Sequence, residues 1–329
     1  MIENTPLVSI CTITYNHAPY IRQCLDGILK QKTLFSFEIL IHDDASTDDT
    51  ANIIREYEAR YPNVIQPIYQ TENQYSKGIS FISKFNFERA RGKYIAMCEG
   101  DDYWTDPLKL QKQVDFLENH PDYSICGGRY HLLKEGAELS EQDWMIRGMA
   151  KYPRGRTVTL DDIYDHYLFW ILTVCFRRDS IESVYQFQQF KDDVLYAVTL
   201  ERGKGFVFPD YFGVYRLHQG GIWTGKSALE KLRMNETFLN ELYPKFGHKS
   251  KSLRKWNYRG KIGIRFFELS GSKHLFADYW KMIRLTLSGS WDTFPYRTGY
   301  FIKMSWVYLI SHLGKLFRST KLNSKPETT

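Results

Sequence analysis

No Gly-x-Gly-x-x-Gly follows the first apolar run of this chain, which argues against a dinucleotide-dependent oxidoreductase. The segment at that place, Thr12-Ile13-Thr14-Tyr15-Asn16-His17, also lacks the Gly-rich basic phosphate loop expected of a nucleotidyltransferase. Cysteine is scarce. The five present, Cys11, Cys24, Cys98, Cys126 and Cys175, form an odd set without C-x-x-C spacing, and Cys11 and Cys98 sit in apolar runs. That usage suits a reducing compartment. Met1 to Pro6 carries no basic region followed by an apolar stretch, and no run of about 18 uncharged apolar residues occurs anywhere. Neither secretion nor membrane spanning is expected, and the expected location is cytoplasmic.

What is present is a chain of 329 residues, enough for a catalytic domain of about 200 to 250 residues with an extension. The net charge of +6 is unevenly spread. Residues 1–225 carry 24 Lys and Arg against 31 Asp and Glu, whereas residues 226–329 carry 20 against 7. A basic segment after an acidic one predicts an anionic partner, with the inner face of a membrane preferred. No nucleic-acid module accompanies the charge, so nucleic acid is not expected. Aromatic residues make up 16% of the chain, and such rings line sugar and base sites as well as cores.

Strand-like and helical stretches alternate from the start: strand Leu7–Thr14, helix Pro19–Gln31, strand Phe37–His42, helix Asp49–Tyr61, strand Val64–Tyr69, helix Ile79–Arg91 and strand Tyr94–Cys98. This predicts an α/β fold with a parallel sheet. Asp106 as N-cap and Pro107 at the first helical position predict a further helix, closed by Pro121. Tyr123–Tyr130 and Ile171–Phe176 read as strands flanking a loop-rich stretch over 134–156. The expected division is a catalytic domain over 1–225, a basic aromatic helical region over 226–318 and a disordered tail over 319–329. Between Phe301 and Arg318, Lys303, Ser311, Lys315 and Arg318 share one side of a helical wheel, opposite Ile302, Trp306, Leu309 and Leu313. Such a helix suits a bilayer interface or a docking surface.

Two strand-like runs end in acids. Tyr94–Cys98 leads into Glu99-Gly100-Asp101-Asp102-Tyr103-Trp104, and Phe37–His42 into Asp43-Asp44-Ala45-Ser46-Thr47-Asp48. Buried parallel strands present their C-terminal ends to the ligand crevice. Carboxylates there can hold a divalent cation on a diphosphate and accept hydrogen bonds from ribose or base. The chemistry this suggests is glycosyl transfer. Asp48 and Asp49 read instead as first-turn helix residues, and His17 and His42 as structural or supporting.

With these motifs in this order, behind the strand ending Thr14-Tyr15-Asn16, the chain resembles glycosyltransferase family 2 over about residues 6–225. The resemblance implies the GT-A fold, a Rossmann-like, mostly parallel sheet flanked by helices, here with a helical C-terminal extension. It implies that Thr14, Tyr15 and Asn16 border the nucleotide-sugar, with Tyr15 at the base. Asp43 would bond to the base with Asp44 supporting it, Asp101 would contact the ribose, and Asp102 would ligate Mn²⁺ or Mg²⁺. Glu99 replaces the first Asp of the family's D-x-D, as in a subgroup with Glu-Gly-Asp-Asp-Tyr-Trp. Lys191-Asp192-Asp193-Val194-Leu195 best matches the catalytic carboxylate, with Asp192 as base and Asp193 in reserve. Tyr215-Arg216-Leu217-His218 resembles the element closing over the diphosphate, where His218 would ligate metal or bond to phosphate and Arg216 would neutralise charge.

The expected activity is therefore metal-dependent inverting transfer of a sugar from a nucleotide diphosphate donor, UDP foremost. The acceptor would be a glycan or lipid-linked molecule, in surface polysaccharide biosynthesis. The alternative is a catalytically silent nucleotide-sugar sensor or assembly partner, against which intact Asp102 and Asp192 argue.

Overall fold

A computed structural model describes residues 5–78, 83–134, 151–164, 168–188, 191–222, 224–269, 275–288 and 293–306. The chain divides into two compact units, Met1–Thr224 and Gly225–Thr329.

The first unit opens with the alternation its sequence predicts: β1 (Val8–Thr14), α1 (Ile21–Leu29), β2 (Phe37–Asp43), α2 (Thr50–Arg60), β3 (Ile65–Tyr69) and β4 (Tyr94–Met97). There follow β5 (Tyr103–Trp104), α3 (Lys109–Asn119), β6 (Tyr123–Lys134), β7 (Arg156–Val158), β8 (Cys175–Arg177), α4 (Asp192–Arg202) and β9 (Lys204–Leu217). The strands form one nine-stranded sheet in the order β3-β2-β1-β4-β8-β6-β9-β5, with β7 paired to β9. Strands β5, β7 and β8 run antiparallel to their neighbours. The others share one direction, so the sheet is mostly parallel.

The Val8-Ser9-Ile10-Cys11 segment of β1 is wholly buried. Ile10, Ile39, Ile41 and Ala96 from the sheet meet Ile21, Leu25 and Ile28 of α1, Ile53 and Ile54 of α2, and Val114 and Leu117 of α3. Each fully buried aliphatic side chain contributes about 2 kcal/mol, so this cluster is a large part of the unit's cohesion.

Three local expectations change. The helix expected over 79–91 is a short π-helical turn, Ser83–Phe87, within the described residues, and 79–82 lie outside them. Buried Asn86 donates to the Thr12 carbonyl, and the Arg89 guanidinium donates to the Ile41 and Gln66 carbonyls, so this segment binds the sheet through side chains. Helix α3 starts at Lys109 rather than at Pro107. Asp106 accepts from the Leu108 amide at 2.8 Å, making a separate turn ahead of the helix. Ile171–Thr173 is a 3₁₀ turn, and strand pairing begins only at Cys175. Most of the loop-rich stretch, 135–150, lies outside the described residues.

The second unit is helical: α5 (Ala228–Phe246), α6 (Lys251–Leu269), α7 (Leu275–Leu287) and a helix over 294–306. Ser227 and Glu230 form a reciprocal capping box that starts α5. Tyr258, Ile262, Phe266 and Met282 form one core cluster, with Tyr300, Phe301 and Met304 packed against it, and Phe238, Leu239, Leu242, Phe246 and Leu253 are buried as well. The amphipathic helix expected over 301–318 is helical to Trp306, and the remainder, with the tail over 319–329, lies outside the described residues. No described helix is long and apolar enough to cross a membrane. All five cysteines are buried and unpaired by disulfides.

Gly92, at the entry to β4, lies against the backbone of β1. A Cβ there would come within 2.5 Å of the Ser9 nitrogen and 2.8 Å of the Tyr94 carbonyl oxygen. Gly92→Ala is therefore expected to destabilise the protein by about 1–3 kcal/mol, measured by equilibrium denaturation.

Candidate active site

Register places the strand ends. Thr14 pairs with Asp43 across β1 and β2, while Cys11 pairs with Met97 across β1 and β4. The Gly100 amide donates to the Ile13 carbonyl at 2.9 Å and the Asp44 amide to the Thr14 carbonyl at 2.9 Å. Three strands thus deliver their following loops to one edge.

The loops after β1 and β2 are tied together. Asn16 and Ala45 adopt left-handed backbone, with φ of 55° and 62°. The Asn16 amide donates to Ser46 Oγ at 2.9 Å, and Asn16 Oδ1 accepts from the Thr47 amide at 2.7 Å. Asp43 accepts from Ser46 Oγ at 2.5 Å, and burial pushes its carboxyl above the usual range. Asp44 uses both carboxylate oxygens on the Gln74 and Tyr75 amides, at 2.7 and 3.1 Å. Of this group Tyr15 stands out to solvent, 44% exposed.

The acidic motif is the most polar buried part of the unit. Asp102 is fully buried. Its Oδ1 accepts from the Arg216 amide at 2.9 Å, and its Oδ2 has no hydrogen-bond partner among the described residues. Burial, then the charges of Asp101 and Glu99, pushes the Asp102 carboxyl well up. Burial, Asp101 and Asp192 do the same to Glu99. Asp101 behaves oppositely: burial works to raise it, but the His218 hydrogen bond and the neighbouring His17 hold it below the ordinary value. His218 Nε2 lies 3.1 Å from Asp101 Oδ2 and His17 Nε2 3.8 Å from the same oxygen.

Arg216 is committed to the protein. Its guanidinium donates to the Asp101 carbonyl at 2.7 Å and to Gln23, and it lies over the rings of Tyr20 and Tyr103. Trp104 is a core residue, donating from Nε1 to the Leu172 carbonyl with the Lys109 ammonium 3.9 Å from its ring centroid. Asp192 and Asp193 open α4 without a side-chain cap. Burial raises Asp192 to about 6, and burial with the Asp192 charge raises Asp193 to about 7.

Sequence motifs pointed to Asp101, Asp102, Arg216 and His218, and the structure brings these together. Asp43, Asp44 and Asn16 lie in the adjoining loops, their described bonds spent on loop geometry. Two participants carried no usable sequence signal: His17, which the fold turns toward Asp101, and Gln23, a helix residue that meets Arg216 only in three dimensions.

Two donor sets suit a divalent cation, His17 with Asp101 and His218, and Glu99 with Asp101 and Asp102, the ligand atoms of each lying within 4.8 Å of one another. A buried carboxylate oxygen without a donor is costly, and a cation at Asp102 Oδ2 would offset that cost. The residues therefore fit such an ion.

Residues 9–184 match the family described as Glycosyl transferase family 2. An uncharacterised Mycobacterium tuberculosis protein is 38% identical over 218 residues, 66% of this chain and 60% of its own length. The chain thus spans about three fifths of that relative. A Bacillus subtilis protein named as a putative teichuronic acid biosynthesis glycosyltransferase, TuaG, is 32% identical over 181 residues, 54% of this chain and 65% of the relative. Among solved structures, S. aureus TarS 1-349 in complex with UDP-GlcNAc superposes with a TM-score of 0.54 at 16% identity, covering 94% of this chain and 92% of that one. The mannosyltransferase PcManGT from Pyrobaculum calidifontis, in complex with GDP-Man and Mn²⁺, gives 0.53 at 18%, covering 92% and 87%. The fold is the GT-A fold expected.

The buried acids set a pH dependence. A carboxyl raised in the folded state binds a proton there that the unfolded chain has released, so stability falls as pH rises from about 4 to about 7. Asp193→Asn removes this penalty. It is expected to raise stability at pH 8 by on the order of 2–4 kcal/mol, with the gain vanishing below pH about 4, read from denaturation at both pH values.

Proposed function

The chain belongs to glycosyltransferase family 2, and on that basis we propose that it is a metal-dependent, inverting glycosyltransferase of the subgroup with the Glu-Gly-Asp-Asp-Tyr-Trp motif. The carrying observation is the buried, unpartnered Asp102 oxygen beside Glu99 and Asp101, at the edge where three strand ends converge.

The donor is a nucleotide diphosphate sugar. UDP is the first base to test, since the S. aureus TarS structures hold UDP and UDP-GlcNAc. Exposed Tyr15 stacks on the base and Asp43 accepts from it, while Thr14, Asn16 and Asp44 shape the surrounding loops. Asp101 would meet the ribose through one carboxylate oxygen and turn Oδ2 to the cation site, where Asp102 and His218 would hold Mn²⁺ or Mg²⁺. The ion, when bound, supplies positive charge to the leaving diphosphate. Arg216 keeps Asp101 and Asp102 in place through its guanidinium and amide. Asp192, raised to about 6, remains ionised near neutral pH yet is a stronger base than an ordinary carboxylate. It accepts the acceptor hydroxyl proton as that oxygen bonds to the anomeric carbon and the bond to the diphosphate oxygen breaks on the opposite face. The name of the B. subtilis relative supports a glycan or lipid-linked acceptor in surface polysaccharide synthesis.

The second unit binds an anionic membrane surface in this reading. Trp280, Leu287, Ile302 and Trp306 are exposed large apolar residues, and Lys281, Arg284 and Lys303 are exposed beside them in sequence. The full chain should sediment with vesicles containing phosphatidylserine and not with neutral ones, and Trp280→Ala with Trp306→Ala should release it.

For the site, melting temperature is measured with UDP, GDP, dTDP and CDP, with and without Mn²⁺. One nucleotide should stabilise only with the ion. Asp102→Asn should abolish the shift, whereas Asp192→Asn should keep it and lose transfer by about 10²-fold or more. Absence of any metal-dependent nucleotide shift at millimolar concentration overturns the reading.

A further inference from the structure

Beside the proposed cation site lies the ring of His17, which meets the rings of Tyr20 and His218 edge-on, with centroids 6.4 Å away at Tyr20. The backbone of His17 is fully occupied: its amide donates to Thr50 Oγ1 at 2.8 Å, and its carbonyl accepts from the Tyr20 and Ile21 amides at 2.8 and 2.9 Å, opening α1. Its imidazole makes no hydrogen bond among the described residues. Nδ1 is buried without a partner, and Nε2 points to Asp101 Oδ2 at 3.8 Å. The His218 ring stands nearly perpendicular to it, with centroids 6.0 Å apart, and presents its own Nε2 to the same oxygen at 3.1 Å. Gly100 makes room for this arrangement, since a Cβ there would come within 2.7 Å of Thr14 Oγ1 and 3.1 Å of His17 Nδ1.

Donors bound at about 2.1 Å to one ion stand about 3 Å apart when adjacent in an octahedron and farther apart when angles open. The separations at Asp101 fall in that range, and the fully buried Asp102 Oδ2 next in sequence to Asp101 is the independent sign that this corner takes a cation. We propose that His17 is a second imidazole donor at the cation site, with His218 and Asp101, and that it makes the site select a transition-metal divalent ion over Mg²⁺. Nitrogen donors bind first-row transition ions in preference to Mg²⁺, which keeps oxygen ligands and water. A site built on Asp102 and one imidazole would discriminate less.

The inference rests on the proposed cation site, and the experiment separates the two. Binding of Mn²⁺, Co²⁺ and Mg²⁺ to the full chain is measured by calorimetry without nucleotide, together with pulsed EPR of bound Mn²⁺ to count directly coordinated nitrogens. Wild type should show two imidazole nitrogens, and His17→Gln one. His17→Ala should weaken Mn²⁺ and Co²⁺ about tenfold or more while changing Mg²⁺ less than about threefold, so the preference collapses. His17→Asp should shift the preference toward Mg²⁺. Asp102→Asn should weaken all three ions. A single nitrogen in wild type overturns the role of His17 without need of any variant, as does an unchanged Mn²⁺/Mg²⁺ ratio in His17→Ala. Failure of wild type to bind any of the ions, or of Asp102→Asn to weaken them, overturns the cation site itself and this inference with it.

Discussion

Cys11 pairs with Leu40 on one side and Met97 on the other, and this in-register parallel contact of β1 with β2 and β4 sets where every acidic side chain of the site can be. Parallel strands flanked by helices have no polar face to spare, so their cores are continuous apolar runs. Polar chemistry is confined to the loops at their ends. β1 and β2 end together at Thr14 and Asp43, and the chain after β4 stays bonded to β1 as far as Ile13 through the Gly100 amide, so those loops share one edge, and a slip in register would carry Asp43 or the acidic motif away from Thr14.

The cost of that convergence is electrostatic. Burial is the largest cause raising Glu99, Asp102 and Asp192; the charges of Asp101 and Asp192 add to it at Glu99, and those of Asp101 and Glu99 at Asp102. Asp101 escapes because His218 and His17 face it. Arg216 holds the arrangement without relieving the charge of Asp102, since it offers that carboxylate a neutral amide and spends its guanidinium on Gln23 and the Asp101 carbonyl. The proposed cation would meet an excess of carboxylates there, with an Asp102 oxygen that has no partner among the described residues and two imidazoles.

The second unit follows different physics. One of its core clusters is built on Tyr258, whose hydroxyl lies 2.8 Å from that of Thr286 and donates to the Arg297 carbonyl at 3.0 Å. Its charge is overwhelmingly positive, and its exposed large apolar residues among those described are phenylalanine, tryptophan, leucine and isoleucine. Nothing in that composition concerns sugar chemistry. Under the proposed function this unit is the part of the chain that meets an anionic surface.

The alternation of strands and helices through Met97, the mostly parallel sheet and the two acidic strand ends were legible in the sequence, because apolar periodicity and the punctuation of strands by Asp-Asp pairs are local properties. Where elements are held by distant partners the sequence was mute. The helix expected over 79–91 is in part a π turn because Asn86 and Arg89 bond to carbonyls of other strands, and the strand expected at Ile171 starts only at Cys175, where β4 and β6 are available to pair. By itself the sequence determined that carboxylates and a histidine would gather at a strand edge. Only the tertiary structure decided that Arg216 would face Gln23 and Asp101, that one oxygen of Asp102 would be left bare, and that His17 would turn its ring to Asp101. Those are properties of residues far apart in sequence whose separation is set by packing.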